Sequence, residues 1–126
     1  MQLARLVVGP LQVNCYIVYD EKTKEAIVID PGDDGQDILN LVNGKGLKVK
    51  YLINTHAHFD HVGAAGVFKR VWPDLQVVAS SRAAEILRRP GAIELITLLN
   101  AGSLSLARAE GFAPLNEAPF EPLEVD

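Results

Sequence analysis

From Leu3 to Asp30 the chain reads as three short runs of apolar, β-branched and aromatic residues separated by turn signals. Leu3 to Val8 and Val13 to Tyr19 fit two strands joined through Gly9-Pro10, and Ala26 to Asp30 fits a third after the charged turn Asp20-Glu21-Lys22-Thr23-Lys24. Strands in succession with short links favour an antiparallel meander. Pro31-Gly32-Asp33-Asp34-Gly35 then breaks the extended pattern, offers an N-cap, and predicts a helix from Gln36 to Asn43 closed by Gly44.

Beyond that helix the pattern alternates between strand and helix. Val49 to Thr55 reads as a strand, and Gly63-Ala64-Ala65-Gly66-Val67-Phe68 opens a helix that Trp72-Pro73 ends. Gln76 to Ala79 reads as a fifth strand, and Ser80-Ser81 opens a helix running through about Leu87. After a break at Arg88-Arg89-Pro90-Gly91, the apolar positions from Ile93 to Leu99, with Leu104 and Leu106, suit an amphipathic helix. Its apolar residues read as packing, with one wall of a substrate site as the alternative. Residues 112–126 hold Pro114, Pro119, Pro122 and four acidic residues, the composition of an extended tail. No repeat or low-complexity tract interrupts the pattern, so the reading is one α/β (α+β) domain over 1–126, with its core in 1–111 and a Pro-rich acidic tail in 112–126.

Composition narrows the class. At 126 residues, 48% apolar and 22% charged, the chain has the size and balance of one globular domain that can bury a core without staples. Its net charge of −4 comes without a dense Lys/Arg patch, which argues against nucleic acid or an anionic membrane as a partner. Cys15 is the only cysteine, so no intrachain disulfide is available, and its place in a strand-like run reads as a buried, inert thiol. The N-terminus lacks the pattern of a secretory signal, and no apolar run approaches the roughly 18 residues of a membrane span, which makes the cytoplasm the expected location.

The chemistry is concentrated in one stretch. Thr55-His56-Ala57-His58-Phe59-Asp60-His61 contains all three histidines of the chain, with a carboxylate among them. In extended backbone His56 and His58 leave on the same side and can share one ion. A mixed His/Asp set suits a catalytic metal that keeps a water better than a closed structural site. A tag or a His-rich tract does not explain it, since the cluster is internal and lies between a strand pattern and a helix pattern. The glycines of 30–35 could suggest a phosphate loop, but that stretch carries three aspartates and no lysine, and those charges repel phosphate. Asp30, at the end of a buried strand, needs a partner. A hydrogen bond to a ligating histidine and a turn-capping role both fit it.

At these residues the sequence resembles the metallo-β-lactamase superfamily, whose T-H-x-H-x-D-H signature is matched by Thr55, His56, His58, Asp60 and His61. Ile27-Val28-Ile29-Asp30-Pro31-Gly32 is similar to the family's Asp-x-Gly turn, and Gln12-Val13-Asn14-Cys15-Tyr16 to a strand of its glyoxalase II-like (hydroxyacylglutathione hydrolase-like) branch. The resemblance implies the N-terminal half of an αββα sandwich, a mixed sheet with helices on one face. It implies that His56 and His58 hold one metal, that Asp60 and His61 hold a second, and that Asp30 and Thr55 stand behind these ligands. Zinc is the implied ion, with iron or manganese accepting the same donors. The implied reaction is thioester hydrolysis, with metal-generated hydroxide attacking the carbonyl and Asp60 guiding its proton. A small-molecule thioester such as an acyl-glutathione is the implied substrate.

The family's second half supplies further metal ligands, and this sequence lacks them. No histidine follows His61, and the later aspartates are Asp74 and Asp126. Each metal would keep two protein ligands where a catalytic zinc usually has three, so weak or partial occupancy is expected. Ala118-Pro119-Phe120-Glu121-Pro122-Leu123 resembles the linker into that second half. The chain is therefore expected to be a piece of a larger enzyme, a half-size protein completed by association, or a non-catalytic half-domain that binds or self-associates. In each case one sheet face should stay apolar and uncovered, which favours a homo-oligomer, a two-fold dimer through that face.

Overall fold

Alternation along the strands sorts the side chains onto two faces. The structure is a computed structural model that describes residues 1–32, 34–55 and 64–109. β1 (Gln2–Val8), β2 (Val13–Tyr19) and β3 (Glu25–Ile29) pair antiparallel in succession, as the short turns between them require. β4 (Lys48–Asn54) and β5 (Gln76–Ala79) add in parallel, giving one sheet of order β1-β2-β3-β4-β5. Parallel neighbours need crossovers. Helices α1 (Gly35–Gly44) and α2 (Ala65–Val71) lie in the β3-to-β4 and β4-to-β5 connections.

On one face Ile17, Val28, Leu52 and Val77 follow one another across the register, and all four are fully buried. Ile38, Leu39 and Val42 of α1 and Phe68 of α2 join them in a single core. Fully burying each such side chain contributes about 1.5–3 kcal/mol, so this layer supplies much of the driving force for folding.

The opposite face is also apolar. One row runs Leu3, Val18, Ile27, Tyr51 and the next Tyr16, Ile29, Ile53, Val78. Leu3 is 64% exposed, Tyr51 43% and Val78 39%, so the described residues leave this face largely uncovered. The mixed sheet with α1 and α2 on one face is the arrangement that the family resemblance implies.

Two further helices complete the described elements, α3 (Ser81–Leu87), which touches β5, and α4 (Pro90–Ala109), which packs against α3. Ser80 caps α3 as the sequence suggests, its hydroxyl accepting from Ala83 N at 3.2 Å. Among the described residues no helix is long and apolar enough to cross a membrane.

Three details depart from the sequence reading. Pro90 begins α4 instead of breaking the chain, because the first helical turn has no use for the missing N–H. Of the apolar residues in Ile93 to Leu99, Ile96 is buried while Leu95, Leu98 and Leu99 are exposed, so packing accounts for only part of that face. Helix α1 is closed by Gly46 rather than Gly44. Gly46 takes φ +64, its N–H donates to Asn43 O at 3.0 Å, and Leu47 N donates to Val42 O at 2.9 Å. These are the paired bonds of a left-handed helix stop, with Leu47 and Val42 in the same core. The proline-rich tail, 112–126, lies outside the described residues.

Candidate functional site

The strands β3 and β4 run parallel, so the segments that follow both emerge at the same end of the sheet. Past β3 the chain turns at Asp30, where φ is +49, and Gly32, where φ is +59. Left-handed backbone is tolerated by glycine and, among other residues, best by short polar ones such as Asp. Asp30 thus lies just beyond the strand it was expected to end. Its N–H still donates to Ile53 O at 2.9 Å, which keeps the turn stitched to β4.

The Asp30 carboxylate is 7% exposed and faces the end of β4. Oδ1 accepts from Thr55 N at 2.8 Å and Oδ2 accepts from Thr55 Oγ1 at 2.5 Å. Two residues on, Gly32 O accepts from Ala64 N at 2.5 Å, directly before α2. One short turn therefore holds both ends of the 56–63 segment. Asp34 ties the same region to the other side: the 31–35 stretch was expected to offer an N-cap for α1, but Asp34 Oδ2 accepts from Gly9 N at 2.7 Å and makes no cap bond. The amide of the β1–β2 turn wins that carboxylate because Asp34, at φ −89 and ψ 59, lacks the extended backbone of an ordinary cap.

His56, His58, Asp60 and His61 lie outside the described residues, and so does Asp33. Of the sequence-derived site residues, the structure brings Asp30 and Thr55 together. These contacts direct Asp30 onto the residue before His56, and any bond from Asp30 to a histidine ring would fall on residues outside those described. Sequence reasoning missed Asn54. It sits on the core face of β4 at 0% exposure, with neither Nδ2 nor Oδ1 hydrogen-bonded. A polar residue interrupting an apolar strand was the available signal.

Cys15 of β2, Asp30 just past β3 and Asn54 at the end of β4 are all buried. Burial, and secondarily the negative charge of Asp30, push the Cys15 thiol up to about 12. It stays protonated at neutral pH and is no nucleophile or metal ligand there, in line with the inert role its strand context suggests.

Comparison with known proteins places this arrangement. The model of the metallo-beta-lactamase superfamily matches residues 8–125. Over 70 residues the chain is 36% identical to the hydroxyacylglutathione hydrolase GloC of Haemophilus influenzae, covering 56% of this chain and 32% of that protein. The B3 metallo-beta-lactamase BLEG-1 superposes with a TM-score of 0.65 at 26% identity, covering 99% of this chain and 54% of the other. TTHA1623, solved in a di-iron-bound form, does so with a TM-score of 0.55 at 35% identity, covering 96% and 54%. The chain thus spans about a third of the length of the curated relative and about half that of the solved structures. A superfamily match over most of the chain, on a mixed sheet of order β1-β2-β3-β4-β5, makes the protein a member of the metallo-β-lactamase superfamily.

Proposed function

We propose that this chain supplies one wall of a metal-dependent hydrolase site that cleaves thioesters of the acyl-glutathione kind. The observation that carries the reading is the double anchorage of the 56–63 segment on the 30–32 turn, through Thr55 at one end and Ala64 at the other. A segment fixed at both ends loses less freedom when its donors gather round an ion. The donor chemistry fits. Three imidazoles and a carboxylate within six residues are the set that divalent metals of the zinc, iron and manganese kind accept.

In this reading His56 and His58 hold one metal, and Asp60 and His61 hold a second. Asp30 fixes where the segment begins by holding Thr55. Asp60 also takes and returns a proton at the attacking water. The bound metals would supply Lewis-acid activation of that water and charge for the oxyanion. Relatives named as hydroxyacylglutathione hydrolases support the thioester substrate, and a di-iron-bound neighbour supports iron beside zinc as the resident ion.

A second reading keeps the fold without turnover, as a binding or self-associating half-domain. The uncovered sheet face favours it. In either reading a second copy of the chain covers that face. Five strands about 4.8 Å apart and roughly five residues long give a footprint of about 400 Å² per copy, below the ~800 Å² of a standard interface, so the dimer is weak and concentration-dependent.

Zinc titration into the metal-stripped chain, followed by an acyl-glutathione hydrolysis assay, tests the proposal. Binding that His58→Ala abolishes, with a hydrolysis rate above buffer, is the expected result. Binding without turnover selects the half-domain, and a His58→Ala variant of full affinity removes the metal site itself.

A further inference from the structure

All six lysines of the chain lie at one end of the fold. Lys22 and Lys24 sit in the β2–β3 turn, Lys45 follows α1, Lys48 and Lys50 open β4, and Lys69 is in the last turn of α2. Since β3 and β4 run parallel, this end is opposite the one where Asp30 meets Thr55. Lys48 N donates to Lys24 O at 2.7 Å, Lys48 opposes Glu25 in the register, and Lys45 Nζ stands 5.6 Å from the centre of the Tyr19 ring. Lysines scattered along the sequence, where they form no dense run, are thus gathered by the fold, which reverses the expectation drawn from their spacing.

Most of the carboxylates here are engaged. Asp20 Oδ1 accepts from Lys22 N and Thr23 N, both at 2.9 Å, and Glu25 stands 3.9 Å from Lys50 Nζ, while Glu21 and Asp74 add to the same end. Six lysines and Arg70 outnumber these four acids on a chain whose net charge is −4. Lys22, Lys24, Lys45, Lys48 and Lys50 are all exposed. Beside Lys50 opens a mostly apolar cavity of about 190 Å³, walled in part by Val18, Ile27 and Tyr51, and Tyr51 is 43% exposed.

Cations next to an exposed aromatic ring are the combination that holds single-stranded nucleic acid: phosphates take the charge while a base stacks on the ring. Lysine is a point charge on a flexible stem, which suits a backbone of variable shape. An acidic protein surface would use the charge and leave the ring and its hollow unused. We infer that this end binds a short single strand of nucleic acid, with one base in the cavity against Tyr51 and phosphates on Lys50, Lys48, Lys24 and Lys22. The inference is independent of the metal-site reading. Tyr51 also belongs to the open face, so a bound strand and a second copy compete for it.

Fluorescence anisotropy of a labelled oligothymidylate of about ten nucleotides, titrated with the whole chain in EDTA, tests this. Three to four phosphate contacts on a single strand predict an affinity that falls roughly twenty- to fiftyfold between about 50 and 200 mM salt. Lys22→Gln combined with Lys48→Gln should weaken binding and lower the slope of log affinity against log salt by about 1.4. Tyr51→Ala should weaken binding by about tenfold or more, and Tyr51→Phe should keep it, since the phenyl ring retains the stacking face. No binding at the lower salt, or an unchanged affinity in the double lysine variant, would overturn the inference. So would full affinity in Tyr51→Ala. Polyglutamate that displaces the strand as well as unlabelled oligothymidylate does would overturn it too, because the surface would then read charge alone.

Discussion

The Asp30–Thr55 contact lends itself to a worked test because both partners have shape-conserving replacements. Thr55→Val removes the hydroxyl that donates to Asp30 Oδ2 at 2.5 Å, and Asp30→Asn removes the charge while keeping a residue that tolerates φ +49. A hydrogen bond to a charged group contributes about 1.5–3 kcal/mol and a neutral one about 0.5–1.5 kcal/mol. Thr55 is exposed, which puts its bond at the lower end, so Thr55→Val should cost about 1.5–2 kcal/mol. Asp30→Asn weakens both bonds to the neutral kind, about 1 kcal/mol each, for about 2 kcal/mol in total. With both changes together one of those bonds has already gone, so the double variant should lose about 1 kcal/mol less than the sum. Urea denaturation of the four proteins by circular dichroism, with Trp72 fluorescence as a second probe, measures this coupling at constant m-value. A coupling under about 0.3 kcal/mol, the scatter of independent sites, would refute the claim that this carboxylate clamps the start of the histidine segment.

Two further outcomes follow from the core and from the open face. The Cys15 thiol, at about 12 in the folded chain against 9.0 for an ordinary thiol, is raised by folding. The stability this represents is present below pH 9.0 and is lost as pH rises toward 12, by up to about 4 kcal/mol at its limit. Denaturation at pH 8 and 11 should show that loss in the parent and a smaller one in Cys15→Ala; equal slopes would refute it. On the open face, Leu3→Glu combined with Tyr51→Lys should abolish a concentration-dependent dimer in sedimentation equilibrium at micromolar protein. A parent that stays monomeric there removes the second copy from the proposal.

Much of the fold was legible because its signals are local. The alternation in Val13–Tyr19, the turn residues between strands, and Ser80 before α3 each act within a few residues, where sequence patterns carry the physics. The departures came where a distant group decided. The 31–35 stretch reads as the source of a cap until Gly9, in the β1–β2 turn, takes the Asp34 carboxylate. Gly44 reads as the helix stop until the pull of Leu47 into the core moves that stop to Gly46. Of the site, the T-H-x-H-x-D-H donors could be recognised from spacing alone. Asn54 left only a weak signal, a polar residue in a strand, because its burial and its missing partners come from the fold.

By itself, then, the sequence determined which family the chain belongs to and which runs make strands and helices, and it offered the histidine segment as the candidate metal site, since ligand chemistry and backbone periodicity are properties of neighbours along the chain. Only the tertiary structure decided that the turn at Asp30–Gly32 holds both Thr55 and Ala64, the residues on either side of the histidine segment. It also decided that one apolar sheet face is packed and the other open. These depend on contacts between residues far apart in sequence, through the parallel pairing of β3 with β4, and that pairing exists only once the helices have crossed over one face of the sheet.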